Sequence, residues 1–97
     1  MSEKTFQRNI IKRLAKCNTL CYKFASPAHA GVPDLICIGP GGVFFIEVKN
    51  PNGRGRLSKL QEVTIEKMRK HGATVYVVDS QEKLEEILDA EKIRPEP

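Results

Sequence analysis

The stretch from Gly31 to Lys49, GVPDLICIGPGGVFFIEVK, constrains the fold more than any other part of the sequence. Two short apolar runs flank a Gly-Pro-Gly-Gly segment, and glycine and proline are residues that end strands and form tight turns. The pattern predicts a β-hairpin whose strands cover residues 35–38 and 43–49. Because proline followed by glycine suits the two central positions of a type II turn, we expect such a turn at Pro40 and Gly41.

The register of this hairpin follows from the position of its turn. A turn centred between Pro40 and Gly41 places Asp34 directly opposite Glu47, and directly opposed residues point to the same face of a sheet with their Cβ atoms about 5 Å apart. Lys49 lies two residues beyond Glu47 and therefore shares that face. The opposite face is expected to be core, since it carries Phe44, Ile46 and Val48.

The resulting cluster of Asp34, Glu47 and Lys49 has two interpretations. The three side chains could form ordinary cross-strand ion pairs on an exposed sheet face. Two like charges placed directly opposite each other are destabilising, however, and a shared cation would remove the repulsion. Carboxylate oxygens without a nearby histidine or cysteine pattern favour a hard divalent ion, so the residues predict a Mg²⁺ or Mn²⁺ site.

Periodic apolar residues predict the elements on either side of the hairpin. They indicate a helix over residues 2–16, a strand over 20–25, a helix that begins at Ser58 and stops at Gly72, a strand over 74–78, and a last helix capped by Asp79 or Ser80. The expected order is α-β-β-β-α-β-α, in which the second helix connects two parallel strands. The predicted fold class is therefore α/β, with a mixed four-stranded sheet flanked by helices.

Two polar residues stand out in the predicted helices. Glu3 lies within about 20° of both Ile10 and Leu14 on a helical wheel, so we expect it to continue the buried stripe of the first helix. Alternatively, Glu3 is a first-turn acid that favours the helix dipole. Gln61 fits a capping box with Ser58, which already gives it a structural role. The packing face of this second helix is expected to consist of Leu60, Thr64 and Met68.

Charge and length limit the kind of partner. The chain has 97 residues, a net charge of +4 and a pI near 9.1, which indicate one small domain that could bind a polyanion. The segment after Lys49, NPNGRGRLSK, is expected to form a flexible loop that carries Arg54, Arg56 and Lys59. Glycines beside arginines let a backbone approach a phosphate while the side chains neutralise it. A solvated surface loop would have the same composition.

The remaining features concern the compartment and the domain boundary. The chain has an odd number of cysteines, and their positions lack a metal-binding spacing, so we expect reduced thiols in an intracellular protein. The three are Cys17, Cys21 and Cys37. The N-terminus lacks the apolar run of a signal peptide, and no apolar stretch approaches the roughly 20 residues that span a bilayer. The sequence therefore predicts a cytoplasmic protein without membrane contact. One domain is expected over residues 1–90, followed by a polar tail over 91–97 that frays.

Residues 33–34 are Pro-Asp, and after twelve further residues positions 47–49 are Glu-Val-Lys. This pattern resembles the PD-(D/E)xK nuclease superfamily. A closer similarity exists within it: KFASPAHAGVPDLICIGPGGVFFIEVKNPNGRGRLSKLQ, with GATVYVVDS downstream, is similar to stand-alone VRR-NUC domains over roughly residues 3–80. An isolated PD and ExK pattern arises by chance in many proteins. Its combination with the Gly-Val-Pro lead-in, the glycine turn and the downstream glutamine is specific. The resemblance implies a restriction-endonuclease-like α-β-β-β-α-β core.

The resemblance also implies a metal-binding set. Asp34 and Glu47 would ligate the divalent ion, joined by the backbone carbonyl of Val48. Glu3 matches the first-helix glutamate that family members usually have in the site. The expected ligands are thus three carboxylates and one carbonyl.

Other positions would act on the water and the phosphate. Lys49 would position or help deprotonate the attacking water, and Gln61 matches a glutamine typical of the family. Residues 28–30, Ala-His-Ala, depart from the more basic stretch of many relatives, and His29 is interpreted as a solvated loop residue in preference to a site residue. The residues expected to contact nucleic acid are Lys23, Arg54, Arg56 and Lys59.

The function implied by the resemblance is a Mg²⁺- or Mn²⁺-dependent, structure-selective DNA endonuclease of a bacterium or phage, without an organic cofactor. Because stand-alone members resemble Holliday-junction resolvases in being homodimers, the expected activity is Holliday-junction resolution by a homodimer. A nicking or flap endonuclease is the alternative. Two further interpretations are a DNA-binding accessory module that does not cut, and an α/β domain whose acidic residues form surface ion pairs.

Overall fold

The computed structural model describes residues 1–53 and 55–94. Its elements are α1 (Glu3–Ala15), β1 (Leu20–Lys23), β2 (Leu35–Gly39), β3 (Gly42–Val48), α2 (Lys59–Lys70), β4 (Val75–Val78) and α3 (Gln81–Ala90). This is the predicted order, and the predicted α/β class with a mixed sheet is confirmed. Arg54 and residues 95–97 lie outside the described part of the chain.

The described strands form one four-stranded sheet in the order β1-β2-β3-β4. The first two pairings are antiparallel, and β4 runs parallel to β3, because α2 carries the chain back to the same end of the sheet between them. The hairpin register is as predicted, with Leu35 opposite Ile46 and Gly39 opposite Gly42. Extending this register by one residue places Asp34 across from Glu47.

The predicted type II turn is wrong, although the register it implied is correct. A type II turn needs a positive φ at Gly41. The structure has its positive φ at Gly42 instead, where φ is +112° at the first residue of β3. Pro40 and Gly41 still form a two-residue connection, so the pairing of Gly39 with Gly42 does not depend on the type of turn.

One face of the sheet forms the main core. Its strand residues are Leu35, Cys37, Phe44, Ile46, Val48 and Val78, and α1 and α3 cover them with Phe6, Ile10, Leu14, Leu84, Ile87 and Leu88. The expected burial of alternate residues of β3 and of the stripe of α1 that contains Ile10 and Leu14 is confirmed. Ile93, beyond α3, is also buried in this cluster. The packed domain therefore extends past the predicted boundary at residue 90, and the part of the predicted frayed tail at residues 95–97 lies outside the described residues.

Helix α2 lies over the opposite face of the sheet. Helix α2 buries Thr64 and Ile65. The expected packing face is therefore confirmed for Thr64 and wrong for Leu60, which is 51% exposed, while Met68 is partly buried. The first turn of α2 stands against the loop before β2, where a Cβ on Gly31 would lie 2.8 Å from the Thr64 hydroxyl oxygen. Gly31 also has φ of +90°, so glycine is required here both for space and for backbone conformation.

The described part of the chain contains no helix that is long and apolar enough to cross a membrane.

Candidate metal and phosphodiester site

Asp34 is fixed by two neighbouring strands. Its backbone carbonyl oxygen accepts a hydrogen bond from the amide of Phe24, just beyond β1, at 2.7 Å. Its side-chain Oδ2 accepts a hydrogen bond from the amide of Val48 in β3 at 2.8 Å. The carboxylate therefore has a defined position at the start of β2, beside the end of β3. The hydrogen bond from Phe24 was missed at the level of sequence, because it depends on the register of β1 against β2.

Glu47 is the most unusual residue of the site, since its carboxylate is buried with only 1% of the side chain exposed. Its Oε2 accepts a hydrogen bond from Gln61 Nε2 at 2.9 Å and lies 3.2 Å from Lys49 Nζ. Within the described residues, its Oε1 is buried without a hydrogen-bond partner. Buried polar atoms nearly always have a partner, so this oxygen indicates a group that the described residues do not supply.

Electrostatics at Glu47 point in the same direction. The pKa of Glu47 is raised to about 7, chiefly because the carboxylate is buried and also because the Asp34 carboxylate is near, while Lys49 opposes both effects. A raised pKa means that the surroundings disfavour the carboxylate form. Lys49 thus compensates only part of the negative charge, and an additional cation would favour ionised Glu47.

Lys49 and Gln61 connect the strand end to the start of α2. The Lys49 side chain is 12% exposed, and its ammonium donates to Gln61 Oε1 at 3.0 Å. The same Oε1 accepts from the backbone amide of Ser58 at 2.9 Å, while Ser58 Oγ accepts from the Gln61 amide at 3.1 Å. The predicted capping box is therefore present, and Gln61 serves the helix cap and the charged cluster at the same time.

Glu3 does not lie on the buried stripe of α1, and this expectation was wrong. It is exposed, because it is the first residue of α1 after the N-cap Ser2 and precedes the first buried position, Phe6. It is still close enough to contribute to the raised pKa of Glu47. No group of three or more histidine, cysteine, aspartate or glutamate side chains among residues 1–53 and 55–94 has metal-binding geometry. The structure thus brings two carboxylates together, and Glu3 lies near them without joining them.

The donor atoms present fit a hard divalent cation. Asp34 and Glu47 provide carboxylate oxygens, which Mg²⁺ and Mn²⁺ prefer, and the buried Oε1 of Glu47 lacks any other partner in the described structure. The side chain of Val48 points into the core, as expected if only its carbonyl served the site. Coordination by that carbonyl stays a prediction.

A glycine in the loop after β3 has a role that the sequence did not reveal. A Cβ on Gly55 would lie 2.8 Å from the Asn50 amide nitrogen and 3.0 Å from Lys49 Cβ. The loop therefore folds back against the strand end that carries Lys49, and only glycine allows this approach. The repeated glycines of this segment are the signal in the sequence, although composition alone does not distinguish close packing against Lys49 from an approach to a phosphate.

The basic residues predicted to contact nucleic acid are on the surface. Lys23 at the end of β1 and Arg56 before α2 are exposed, and Lys59 is 87% exposed with a weak ion pair of 4.0 Å to Glu62. His29 is exposed in its loop, in agreement with a solvated histidine. Arg54 lies outside the described residues. These exposed cations differ in this respect from Lys49, which lies within the buried cluster.

Comparison with known proteins gives matches to this chain in sequence and in structure. The model of the VRR-NUC domain family matches residues 2–82 of the chain. A protein of Acyrthosiphon pisum secondary endosymbiont phage 1 with the name "Putative nuclease p44" is 33% identical over 89 residues, which covers 91% of this chain and 92% of the phage protein. A solved structure described as a VRR_NUC domain superposes with a TM-score of 0.79 at 27% identity, over 90% of this chain and 94% of that one.

Proposed function

Since the chain belongs to the VRR-NUC domain family of nucleases, we propose that it is a divalent-metal-dependent endonuclease that hydrolyses phosphodiester bonds in branched DNA. The observation that carries the proposal is the buried Glu47 carboxylate, whose Oε1 has no protein partner in the described structure and whose neighbour across the hairpin is Asp34. Such an arrangement costs stability unless a cation completes it. A purely structural role would not explain a buried glutamate with an unpartnered oxygen at this position.

Asp34 and Glu47 would hold Mg²⁺ or Mn²⁺ in the working enzyme. When bound, the ion supplies positive charge that stabilises the negative charge developing on the scissile phosphate. Asp34 needs no rearrangement for this role, because the amides of Phe24 and Val48 already fix its backbone and side chain. Gln61 fixes Oε2 of Glu47 in the same way. The chain therefore preorganises both carboxylates before substrate binds.

Lys49 would act on the attacking water and on the phosphate. Its ammonium is held by Gln61 Oε1 at 3.0 Å and by Glu47 Oε2 at 3.2 Å, so its position is fixed next to the carboxylates. A fixed cation in a partly desolvated site stabilises developing charge more strongly than a mobile surface lysine does. Because the Lys49 side chain is only 12% exposed, bulk water also screens its charge less. Lys49 is accordingly proposed as the catalytic cation.

The proposed substrate is a DNA junction, recognised through its phosphates. The longest connections between successive elements are the 11 residues between β1 and β2 and the 10 residues between β3 and α2, and these are too short to hold a recognition domain. The exposed cations Lys23, Arg56 and Lys59 would contact phosphates without reading sequence. Selectivity would then come from the shape of branched DNA. The net charge of +4 supports a polyanionic ligand.

We propose a homodimer as the active form, acting in the cytoplasm. Four apolar side chains are exposed on the sheet face that α2 leaves partly open, namely Leu20, Tyr22, Ile38 and Val43. The register places Leu20 beside Ile38 and Ile38 beside Val43, so these residues form a contiguous patch of the kind that marks protein interfaces. A twofold axis would present two sites to the two strands of a four-way junction.

The substrate proposal is tested by incubating the protein with labelled four-way junction, flap and linear duplex, each with and without Mg²⁺. We expect paired, symmetric cuts in the junction, little cleavage of linear duplex, and no cleavage of any substrate without the metal. Analytical ultracentrifugation at micromolar concentration should show a dimer. If the protein is strictly monomeric and cuts flaps or nicks duplex in preference to junctions, its function is flap or nicking cleavage and not junction resolution. Metal-dependent DNA binding without cleavage would instead favour the accessory-module function.

Metal binding is tested by titration calorimetry of Mn²⁺ into the wild type and Asp34→Asn. The substitution removes the charge but retains an oxygen that can accept the Val48 amide, so the fold should persist while affinity falls about tenfold or more. Asp89→Asn is the matched control, because Asp89 is an exposed residue of α3. Equal heats for wild type and Asp34→Asn would contradict the metal site and favour surface ion pairs.

A further inference from the structure

Two of the three cysteines lie directly opposite each other on neighbouring strands. Cys21 of β1 pairs with Cys37 of β2, and their sulfur atoms are 3.3 Å apart. All three cysteines are free thiols. Cys17 is a natural comparison, because it is buried near the end of α1 and is contacted by the Arg13 guanidinium and not by another thiol. The Cys21 and Cys37 thiols belong to neither the carboxylate site nor the basic surface.

The strand geometry at this pair suits a disulfide. In the same register, the amide of Phe24 donates to the carbonyl oxygen of Asp34, so Phe24 and Asp34 are a hydrogen-bonded pair of the ladder. Such pairs alternate along an antiparallel ladder, which makes Cys21 and Cys37 a non-hydrogen-bonded pair with Cα atoms about 4.5 Å apart. Disulfides form between Cα atoms about 4.4 to 6.8 Å apart. The backbone therefore does not need to move far for the two sulfurs to bond.

The two thiols differ in a way that assigns them different roles. Cys37 is fully buried, whereas Cys21 is only partly buried on the edge strand β1. The hydrogen bond between them lowers the pKa of Cys21, against the effect of burial, and raises the pKa of Cys37, which burial also raises. The thiolate is the nucleophile in thiol oxidation. Cys21 is therefore the thiol that an oxidant meets first.

We propose that Cys21 and Cys37 form a peroxide-sensitive thiol pair that closes a cross-strand disulfide between β1 and β2. The Cys21 thiolate attacks hydrogen peroxide, the O–O bond breaks, and hydroxide leaves, so that Cys21 becomes a sulfenic acid. The Cys37 sulfur then attacks Cys21 Sγ, the S–O bond breaks, and the departing hydroxide takes the Cys37 proton as water. Two thiols and one peroxide thus give one disulfide and two waters, and two electrons pass from sulfur to oxygen.

The disulfide would cross-link an edge strand to its one neighbour in the described sheet. β1 pairs only with β2 within the described sheet, and the closed loop between Cys21 and Cys37 contains the segment that leads to Asp34. Cross-linking restricts the unfolded chain, so the oxidised protein is expected to unfold at a higher temperature, by roughly 5 to 15 °C. A reductant should reverse the shift.

The test treats the full-length protein with hydrogen peroxide, then measures the intact mass and maps peptides without reduction. We expect loss of two hydrogen atoms and a link to the peptide that contains Cys37. Trypsin leaves Cys17 and Cys21 together on residues 17–23, so the variant Cys17→Ala identifies the partner and must still form the link. Oxidised wild type should also show the raised melting temperature.

Two further variants separate the roles of the paired thiols. Cys21→Ser should form no intramolecular disulfide, and Cys37→Ala should stop at a Cys21 sulfenic acid that dimedone traps. Because Cys21 is partly exposed, its variant is expected to fold even if the core substitution at Cys37 does not. A disulfide that involves Cys17, a link found only between two chains, or an unchanged melting temperature after oxidation would each overturn the proposal.

Discussion

Glu47→Gln should abolish cleavage while the protein stays folded. Glutamine has the shape of glutamate and can keep the hydrogen bond with Gln61 that Oε2 accepts at 2.9 Å. It removes the charge that would hold the metal, so we expect the single-turnover cleavage rate to fall at least about 1,000-fold, equivalent to about 4 kcal/mol of barrier. The measurement is cleavage of labelled junction DNA at saturating Mg²⁺, with circular dichroism as the check on folding.

The matched control for this result is Glu66→Gln. Glu66 is a glutamate of α2 that is exposed and forms only a weak ion pair of 4.0 Å with Arg69. The substitution changes the net charge of the protein by the same amount, so any general effect on DNA binding should appear in both variants. If Glu47→Gln cleaves DNA at the same rate as Glu66→Gln, Glu47 is not an active-site residue.

Lys49→Met should lose catalysis without losing the metal. Methionine approximates the length and apolar stem of lysine but removes the ammonium next to Glu47 and Gln61. We expect the rate at saturating Mg²⁺ to fall about 100- to 1,000-fold, as is typical when a group that stabilises developing charge is removed. Mn²⁺ affinity by calorimetry should stay the same or rise, because a neighbouring positive charge that opposes cation binding has gone.

Lys59→Met provides the comparison for Lys49. Lys59 is 87% exposed at the start of α2, so its loss should weaken DNA binding slightly and mainly at low salt, with no change in the rate at saturating DNA. If Lys49→Met instead lost Mn²⁺ binding and activity together, Lys49 would be a structural residue of the site and not the catalytic cation. Separate measurements of Mn²⁺ affinity and cleavage rate therefore decide whether Lys49 is the catalytic cation or a structural residue.

Much of the fold could be predicted from local patterns. The glycine and proline between two apolar runs placed the hairpin, and the two-residue period of a strand put Asp34 and Glu47 on one face. The capping box of Ser58 and Gln61 and the stop at Gly72 were also readable, because caps depend on a few neighbouring residues. These features have short-range causes, so tertiary contacts did not need to be known.

Features that depend on how elements pack were predicted less well. A helical wheel placed Glu3 beside Ile10, but α1 reaches the core only from Phe6 onwards, and Glu3 is exposed. The same reason applies to Leu60, since α2 buries Thr64 and Ile65 against the sheet. A periodic pattern gives the face of a helix without saying which turns of it reach the sheet.

The sequence by itself determined the order of elements, the register of the central hairpin and the charged cluster of Asp34, Glu47 and Lys49. Only the tertiary structure decided that Glu47 is buried with one oxygen unpartnered, that Gln61 joins the helix cap to this carboxylate, and that Cys21 faces Cys37. The physical reason is that register within a hairpin follows from adjacent residues, whereas burial and partners arise from segments distant in the chain. The electrostatic state of Glu47 belongs to the second kind, since desolvation by the packed domain is the largest cause of its raised pKa.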